Sequence, residues 1–293
     1  LGAVAGEFVY DVLVSRRGTP RILIRGEYHL WAVDTWGTLV DGLAFTPCRP
    51  TGMDARGDRV LSMFQMPSGS EQGLAQVDIG VDGASVTAFP FDWEPAAEPV
   101  LGNERFLYPE PLKPARLISV ALQDPADVKE LGSAGLFPPF DAEDSFLYFD
   151  VTGTYQSVYY TNGSAPGTPY FDLPDENVCW AQRSYDSLVW TTCQYTPGAS
   201  DRVFRTSFAS PEKGTSTLLL EQSHVGWGIA AEGWYVSMGE PMAVRVDDGV
   251  VHSLESTPGR LVGVTAAPAY RYSETWKPGG GDYRYHLYRV KMP

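Results

Sequence analysis

Two groups of acidic residues are the first candidates for chemistry in this sequence. One group is Asp141, Glu143 and Asp144, and the other is Asp175 with Glu176. Paired carboxylates can act as a general acid and a general base, and their oxygen atoms suit Ca²⁺. Neither group has the spacing of a calcium loop, and acidic loops are expected in a chain of net charge −14. Calcium binding and carboxylate catalysis therefore stay alternatives, and no cofactor is predicted.

One histidine has a position that suits proton transfer. His224 lies in a predicted loop beside Ser223, whereas His29, His252 and His286 fall in or at the start of predicted strands. No G-x-S-x-G or H-E-x-x-H motif supplies partners for His224. The sequence therefore predicts no catalytic residue; His224 is a candidate for ligand binding, and its use as a general base belongs to the enzyme alternative.

Two predicted loops carry aromatic residues that could bind a ligand. The first contains Phe137 and Phe140 around a Pro-Pro pair, and the second runs from Trp276 through three glycines to Asp282. Exposed aromatic side chains are common anchors for protein or carbohydrate ligands. The alternatives are a packed insertion for the first loop and, for Trp276, a role in closing the fold.

Cys179 and Cys193 flank two predicted strands, and the third cysteine is Cys48. Pairing of the strands about Asp186 would place Cys179 opposite Cys193, within reach of a disulfide. The sequence thus predicts a disulfide and an oxidising compartment. Two unpaired core thiols are the alternative.

The charge of the chain limits its partners. It has 36 acidic and 22 basic residues, so nucleic acid and anionic membranes are disfavoured. No apolar run approaches the ~20 residues that span a bilayer. The opening LGAVAG, without an initiator methionine, fits a processed chain. We expect an extracytoplasmic protein, secreted or periplasmic.

A repeated hairpin is the element that must position these residues. LWAVDTWGTLV, from Leu30 to Val40, reads as a strand, a tight turn with glycine and a second strand. Related stretches follow at 74–86, 147–158, 203–219 and 243–254, and half a copy ends the chain. Copies about 40–45 residues apart are typical of β-propeller blades, in which the hairpin joins the third and fourth strands.

The copies predict one domain over residues 1–293: an all-β, six-bladed β-propeller of four-stranded antiparallel blades. Blade three is stretched, since 72 residues separate Asp78 from Asp150. Within this insertion, Asp124, Pro125 and Gly132 mark one short predicted helix. Residues 1–6 are predicted to close the ring.

The repeated turns VD-TWG-TLV, VD-IGVDG-ASV and FD-VTG-TYQSV resemble those of the TolB-type, WD40-like six-bladed propellers. The resemblance covers nearly the whole chain as architecture. It implies that ligands meet the face with the loops from second to third strand and from blade to blade. That face would include residues 66–73, 123–145, 174–177, 195–201, 222–226, 239–240 and 276–282.

These observations predict a binding or scaffold protein that recognises a protein or carbohydrate ligand through this face. One alternative is a propeller-type hydrolase, lyase or lactonase that uses funnel carboxylates, with or without calcium. Another is a structural subunit of a surface assembly. The enzyme alternative requires the two acidic groups to converge, and the binding hypothesis requires exposed aromatic residues.

Overall fold

The computed structural model is all-β. It describes residues 9–15, 18–44, 49–65, 72–80, 85–88, 99–110, 116–133, 140–142, 145–149, 157–173, 178–192, 200–209, 213–223, 227–257, 259–265, 269–276 and 283–293. Within these ranges there are seven antiparallel sheets, six with four strands and one with three. The same ranges contain no helix, and therefore none long and apolar enough to cross a membrane.

The first four sheets hold strands β1 to β16. The first contains β1 (Asp11–Val14), β2 (Ile22–Arg25), β3 (His29–Val33) and β4 (Leu39–Ala44). The second contains β5 (Arg49–Arg56), β6 (Arg59–Gln65), β7 (Gln72–Asp78) and β8 (Ser85–Ala88). The third contains β9 (Val100–Leu101), β10 (Arg105–Glu110), β11 (Arg116–Ala121) and β12 (Val128–Ser133). The fourth contains β13 (Phe140–Ala142), β14 (Ser145–Phe149), β15 (Ser157–Thr161) and β16 (Thr168–Asp172).

The remaining three sheets hold β17 to β27. The fifth contains β17 (Val178–Ser184), β18 (Ser187–Thr192), β19 (Asp201–Ser207) and β20 (Ser216–Gln222). The sixth contains β21 (Gly228–Ala231), β22 (Trp234–Ser237), β23 (Met242–Arg245) and β24 (Val251–Ser253). The seventh contains β25 (Arg260–Val264), β26 (Ala269–Trp276) and β27 (Tyr283–Val290).

The sheets follow one another in a closed ring, as in a β-propeller. Strands pair in chain order within each sheet, and the first strand of each sheet contacts the first strand of the next, in the order β5, β9, β13, β17, β21, β25 and β1. The first and second sheets also meet through β3 and β5. Each sheet therefore has a turn end, with the connections from first to second and third to fourth strand. The opposite end, the loop end, has the connections from second to third strand and from sheet to sheet.

The predicted number of six blades is wrong, because the ring has seven sheets in the described residues. The 72 residues after Asp78 contain the whole third sheet and the first two strands of the fourth, where the sequence predicted one stretched blade. The strands that flank Asp150 are β14 and β15, the second and third of their sheet, so this hairpin is not equivalent to the one at Asp34. Residues 1–6 lie outside the described residues, and their part in ring closure stays a prediction.

The predicted helix after Asp124 is also wrong. The Asp127 N–H donates to the Asp124 carbonyl oxygen at 2.9 Å, and the Ala126 N–H donates to the Asp124 carboxylate at 3.2 Å. Both bonds belong to a tight turn, after which the chain forms β12. Asp followed by Pro begins a helix and a β-turn equally well, because both need a side-chain acceptor and a fixed φ.

The core is divided into apolar layers between neighbouring sheets. Leu61 and Met63 of the second sheet pack against Leu101, Phe106 and Val120 of the third, and all five are almost fully buried. Similar layers occur elsewhere in the ring, including one between the seventh and first sheets. The alternating apolar residues of each strand therefore stabilise the contacts between sheets, as expected for a propeller.

Side chains also bridge neighbouring sheets. The Asp54 carboxylate accepts the Leu101 N–H at 2.6 Å, and the Gln182 amide oxygen accepts the Ala230 N–H at 2.9 Å. Both acceptors lie on a first strand and reach the first strand of the next sheet. These two bonds give N–H groups on the innermost strands a hydrogen-bond acceptor in the neighbouring sheet.

An ion pair between the buried Arg105 and the partly exposed Asp127 stabilises the third sheet. The Arg105 guanidinium is 2.6 Å from the Asp127 carboxylate and 2.8 Å from Ser119 Oγ, and it also donates to the Asp127 carbonyl oxygen. Hydrogen bonds from Arg105, and then from Lys129, lower the pKa of Asp127 to about 2. The ionised form of Asp127 is thus favoured in the folded protein.

We expect this pair to make stability sensitive to acid. The carboxyl pKa is lower in the folded protein than its unfolded value of about 4, so the stabilisation is complete above pH ~4 and is lost as the pH falls towards 2. Asp127→Asn should lower the urea midpoint at pH 7, and the midpoint of this variant should fall less than that of the wild type between pH 4 and 2. Urea unfolding of both proteins at pH 7 and between pH 4 and 2 measures the two effects. Parallel curves for the two proteins would contradict the role of Asp127.

Candidate functional site

The predicted site residues fall mostly outside the described part of the chain. This applies to Phe137, Glu143, Asp144, Asp175, Glu176, His224 and Asp282. The backbones of Phe140 and Asp141 form β13, and Trp276 ends β26, paired with Tyr283. The assignment of Phe140 and Asp141 to a loop is therefore wrong, whereas Trp276 ends a strand that leads into the predicted loop. Nothing is described of these three side chains. Convergence of the two acidic groups, with or without calcium, stays a prediction.

The predicted register around the cysteines is wrong by one residue. Ser184 pairs with Ser187 across a two-residue turn, and Trp180 pairs with Thr191. A bulge between Val178 and Trp180 leaves Cys179 as the extra residue on β17. Cys179 is disulfide-bonded, but its partner lies outside the described residues, as do Cys193 and Cys48. The pairing of Cys179 with Cys193 thus stays a prediction.

The loop ends of the fifth and sixth sheets carry the best candidate site. We call it the Trp227 cluster, and it consists of Trp180, Asp201, Trp227, Tyr235 and Met238. Trp227 precedes β21 and is 62% exposed, while Met238 follows β22 and is 40% exposed. The Met238 N–H donates to the Trp227 carbonyl oxygen at 2.8 Å. This bond extends the pairing of β21 with β22 and keeps the two exposed apolar residues side by side.

Gly228 determines how closely the backbone of Trp227 approaches the core. A Cβ atom at Gly228 would overlap the ring of Tyr235 and come within 2.6 Å of the Val236 carbonyl oxygen. Only glycine allows β21 to lie directly over this ring, which is fully buried. The backbone that presents Trp227 is thereby fixed against a rigid part of the sixth sheet.

Tyr235 connects this backbone to the fifth sheet. Its ring makes an edge contact with Trp180 of β17, with the ring centroids 5.6 Å apart. Burial raises the pKa of Tyr235 above its usual value, the negative charge of Asp201 raises it further, and a hydrogen bond with Ser237 opposes both. Asp201 is the first residue of β19 and is partly exposed. The cluster therefore combines aromatic rings with a carboxylate at the loop end of the ring of sheets.

The chemistry of the Trp227 cluster suits binding. The exposed indole of Trp227 and the thioether of Met238 offer apolar contact, and the charge of the partly exposed Asp201 acts on Tyr235 beneath them. In the described ranges, no group of three or more His, Cys, Asp or Glu side chains could hold a metal ion. What these residues can do together is to anchor a ligand at the loop end.

Sequence reasoning did not select Trp227 or Met238. It assigned residues 222–226 and 239–240 to the ligand-facing side, and each of these ranges directly adjoins one of the two residues. The feature of the sequence that could have indicated this site is a tryptophan, Trp227, at the junction of a predicted loop and a predicted strand. Whether its side chain points inwards or outwards could not be read from the alternation of WGIAAE, since Gly228 follows it.

Comparisons with known proteins identify the fold. No protein-family model matches the chain, and no curated protein matches it. A structure titled oligogalacturonate lyase in complex with manganese matches with a TM-score of 0.58 at 12% identity, over 98% of this chain and 96% of that one. YCF48 bound to D1 peptide matches with a TM-score of 0.53 at 12% identity, over 92% and 91%.

An acylaminoacyl peptidase from Pyrococcus horikoshii matches with a TM-score of 0.57 at 8% identity, over 95% of this chain and 52% of that one. This chain thus spans about half the length of the peptidase. The low identities limit these likenesses to architecture. They agree with the ring of sheets described above: the chain folds as a β-propeller of small antiparallel sheets.

Proposed function

We propose that this protein is an extracytoplasmic binding or scaffold module that recognises a protein or carbohydrate ligand through its loop end. The observation that carries the proposal is the exposure of Trp227 on a backbone fixed by Gly228 and Tyr235. A tryptophan on a fixed backbone has only its two side-chain torsions to lose when a ligand covers it. This is the usual property of an energetic anchor in a binding site.

The surroundings of Trp227 support a mixed apolar and polar ligand. Met238 extends the apolar surface, and the partly exposed Asp201 adds a negative charge to the cluster. A sugar ring, with one apolar face and several hydroxyl groups, and a polypeptide segment both have this character. YCF48, a protein of similar fold, is described as bound to a peptide, which supports the polypeptide possibility at the level of fold.

Two further features bear on the proposal. The disulfide at Cys179 lies next to Trp180, and disulfides persist in oxidising compartments, which supports export. The enzyme alternative is supported by the likeness to a lyase and a peptidase at the level of fold, and one fold hosts many activities. We prefer the binding function, because the described residues at the loop end expose Trp227 and Met238 side by side.

Replacing Trp227 tests the proposal. The wild-type protein is screened against a glycan array and a displayed random-peptide library, and the affinity of each positive ligand is then measured. We expect Trp227→Ala to weaken binding at least about tenfold, because the exposed indole provides the main contact. The melting temperature should change little, since this side chain is mostly outside the core.

Leu218→Ala is the matched control. Leu218 lies on β20, the outermost strand of the fifth sheet, and is 47% exposed. Its truncation removes exposed apolar surface away from the cluster and should leave affinity unchanged. Ligands that bind Trp227→Ala as tightly as the wild type would disprove the proposed site. Chemical conversion of a bound ligand by the protein would support the enzyme alternative in place of the binding function.

A further inference from the structure

A second exposed tryptophan lies at the opposite, turn end of the ring. Trp36 is in the turn between β3 and β4 and is 78% exposed. Beside it on β4, Leu39 is 61% exposed and Val40 is 38% exposed. Exposed apolar residues occur singly on most proteins, whereas a group that includes a tryptophan often marks an interaction surface. We call Trp36, Leu39, Val40 and Arg289 the Trp36 surface.

The turn that carries Trp36 is rigid. The Asp34 carboxylate accepts the N–H groups of Trp36 and Thr38, each at 2.8 Å, and these bonds, chiefly that from Thr38, lower the pKa of Asp34. The Tyr270 hydroxyl donates to the Thr35 carbonyl oxygen at 3.2 Å and connects the turn to the seventh sheet. The backbone of Trp36 is therefore held in place before any partner arrives.

The indole ring is held as well. The Arg289 guanidinium carbon lies 4.4 Å from the centroid of the Trp36 ring, in cation–π geometry. Arg289 is itself exposed and lies near the end of β27. The stacking covers one face of the Trp36 ring and leaves the rest of the Arg289 side chain accessible. A tryptophan beside an arginine combines two of the three residue types that most often dominate protein–protein affinity.

Charge indicates which partner would fit. Arg289 and Lys291 are both exposed, in a chain whose net charge is −14. The Asp34 and Asp41 carboxylates keep their negative charge, but they already accept backbone N–H groups, Asp34 within its own turn and Asp41 from Gly42 and Gly80. Arg289 and Lys291 are therefore the groups that can form new ion pairs here, and they suit an acidic partner.

We propose that the Trp36 surface binds an acidic segment of a partner protein that also carries an apolar side chain. The apolar side chain packs on Trp36 and Leu39, and the carboxylates pair with Arg289 and Lys291. The aliphatic residues Leu39 and Val40 favour a polypeptide over a sugar, which would need polar acceptors at these positions. With the loop end, this surface gives the protein two docking sites on opposite faces, as a scaffold requires.

Selection of displayed random peptides on the immobilised protein tests this proposal, followed by affinity measurements with the selected peptides. We expect peptides that combine Asp or Glu with a large apolar residue. Their binding should weaken at least about tenfold in Trp36→Ala and in Arg289→Glu, less in Arg289→Lys, and further with added salt. Leu218→Ala should bind normally. Because Trp36 and Arg289 are exposed, unchanged melting temperatures will show that the variants fold.

Other outcomes overturn the proposal. These are no enrichment of acidic peptides, affinities that do not depend on Trp36, a glycan ligand that is lost in Trp36→Ala, or a dimer of this chain that Trp36→Ala dissolves. Peptides that depend on Trp227 and not on Trp36 would support the loop-end function while disproving this second site. The two proposals therefore fail separately.

Discussion

Gly263→Ala is expected to destabilise the protein by about 2 kcal/mol, because it introduces a methyl group where the ring of sheets closes. Gly263 lies on β25 of the seventh sheet and faces Val14 on β1 of the first. A Cβ atom at Gly263 would overlap the Val14 side chain and lie 3.4 Å from the Val14 nitrogen atom. Because β25 and β1 join the two ends of the chain, any separation of these strands opens the ring.

The contact is expected to show strong coupling in a double-mutant cycle. Val14→Gly alone leaves a small cavity, but combined with Gly263→Ala it removes Cβ and Cγ2 of Val14, the two atoms that the new methyl group would overlap. The double variant should therefore be more stable than the sum of the single effects predicts. Urea midpoints for the four proteins measure the coupling. Additive effects would show that Gly263 and Val14 do not control closure.

Gly42→Ala is the matched control for Gly263→Ala. Gly42 is exposed on β4, and a Cβ atom there would meet Trp31 at 3.4 Å, an ordinary contact. The expected change in stability is within about 0.5 kcal/mol. If both glycine variants lose the same stability, the effect is a general property of alanine in these strands and not of ring closure.

Most of the strands could be predicted from the sequence because alternation and turn residues act locally. The hairpin at Asp34 has its predicted strands, and the bulge at Ala32 and Val33 only shifts the register. The number of blades could not be predicted in this way. Every antiparallel connection gives the same pattern of strand, polar turn and strand, so LYFDVTGTYQSV looked like the hairpin at Asp34 although it joins β14 to β15.

The site was harder to predict than the strands, since exposure depends on packing that the sequence does not show. Trp190 and Trp36 both lie in or beside strands, yet Trp190 is fully buried and Trp36 is 78% exposed. The difference comes from tertiary contacts: Trp190 stacks on Phe204 and donates to Thr206, whereas Trp36 lies in a turn that points away from the core. Residue type alone therefore does not distinguish an exposed tryptophan, which can bind a ligand, from one that is buried in the core.

The two exposed tryptophans have different supports, and this predicts different responses to mutation. Trp36 is held by its own turn and by a cation, so its neighbours can be altered without disturbing the core. Trp227 depends on the close approach of β21 to the buried ring of Tyr235. Binding at the loop end should therefore be coupled to the stability of the sixth sheet.

Gly228→Ala tests this coupling. The added methyl group would meet the ring of Tyr235 and the Val236 carbonyl oxygen, and neither can move without disturbing the pairing of β21 with β22. We expect a loss of about 2 kcal/mol in stability and at least a tenfold loss of ligand affinity, because Trp227 is displaced with its backbone. Urea unfolding and titration of the selected ligand measure the two effects.

The comparison with Trp227→Ala separates the roles of the two residues. Trp227→Ala should lose affinity and keep its stability, because it removes the contacting side chain and leaves the backbone in place. Gly228→Ala should lose both, since glycine contacts no ligand and acts by letting β21 approach Tyr235. A Gly228→Ala protein that is destabilised but binds normally would show that Trp227 finds its position without this support. The anchor would then have to form on binding, at a cost in ordering that a fixed indole avoids.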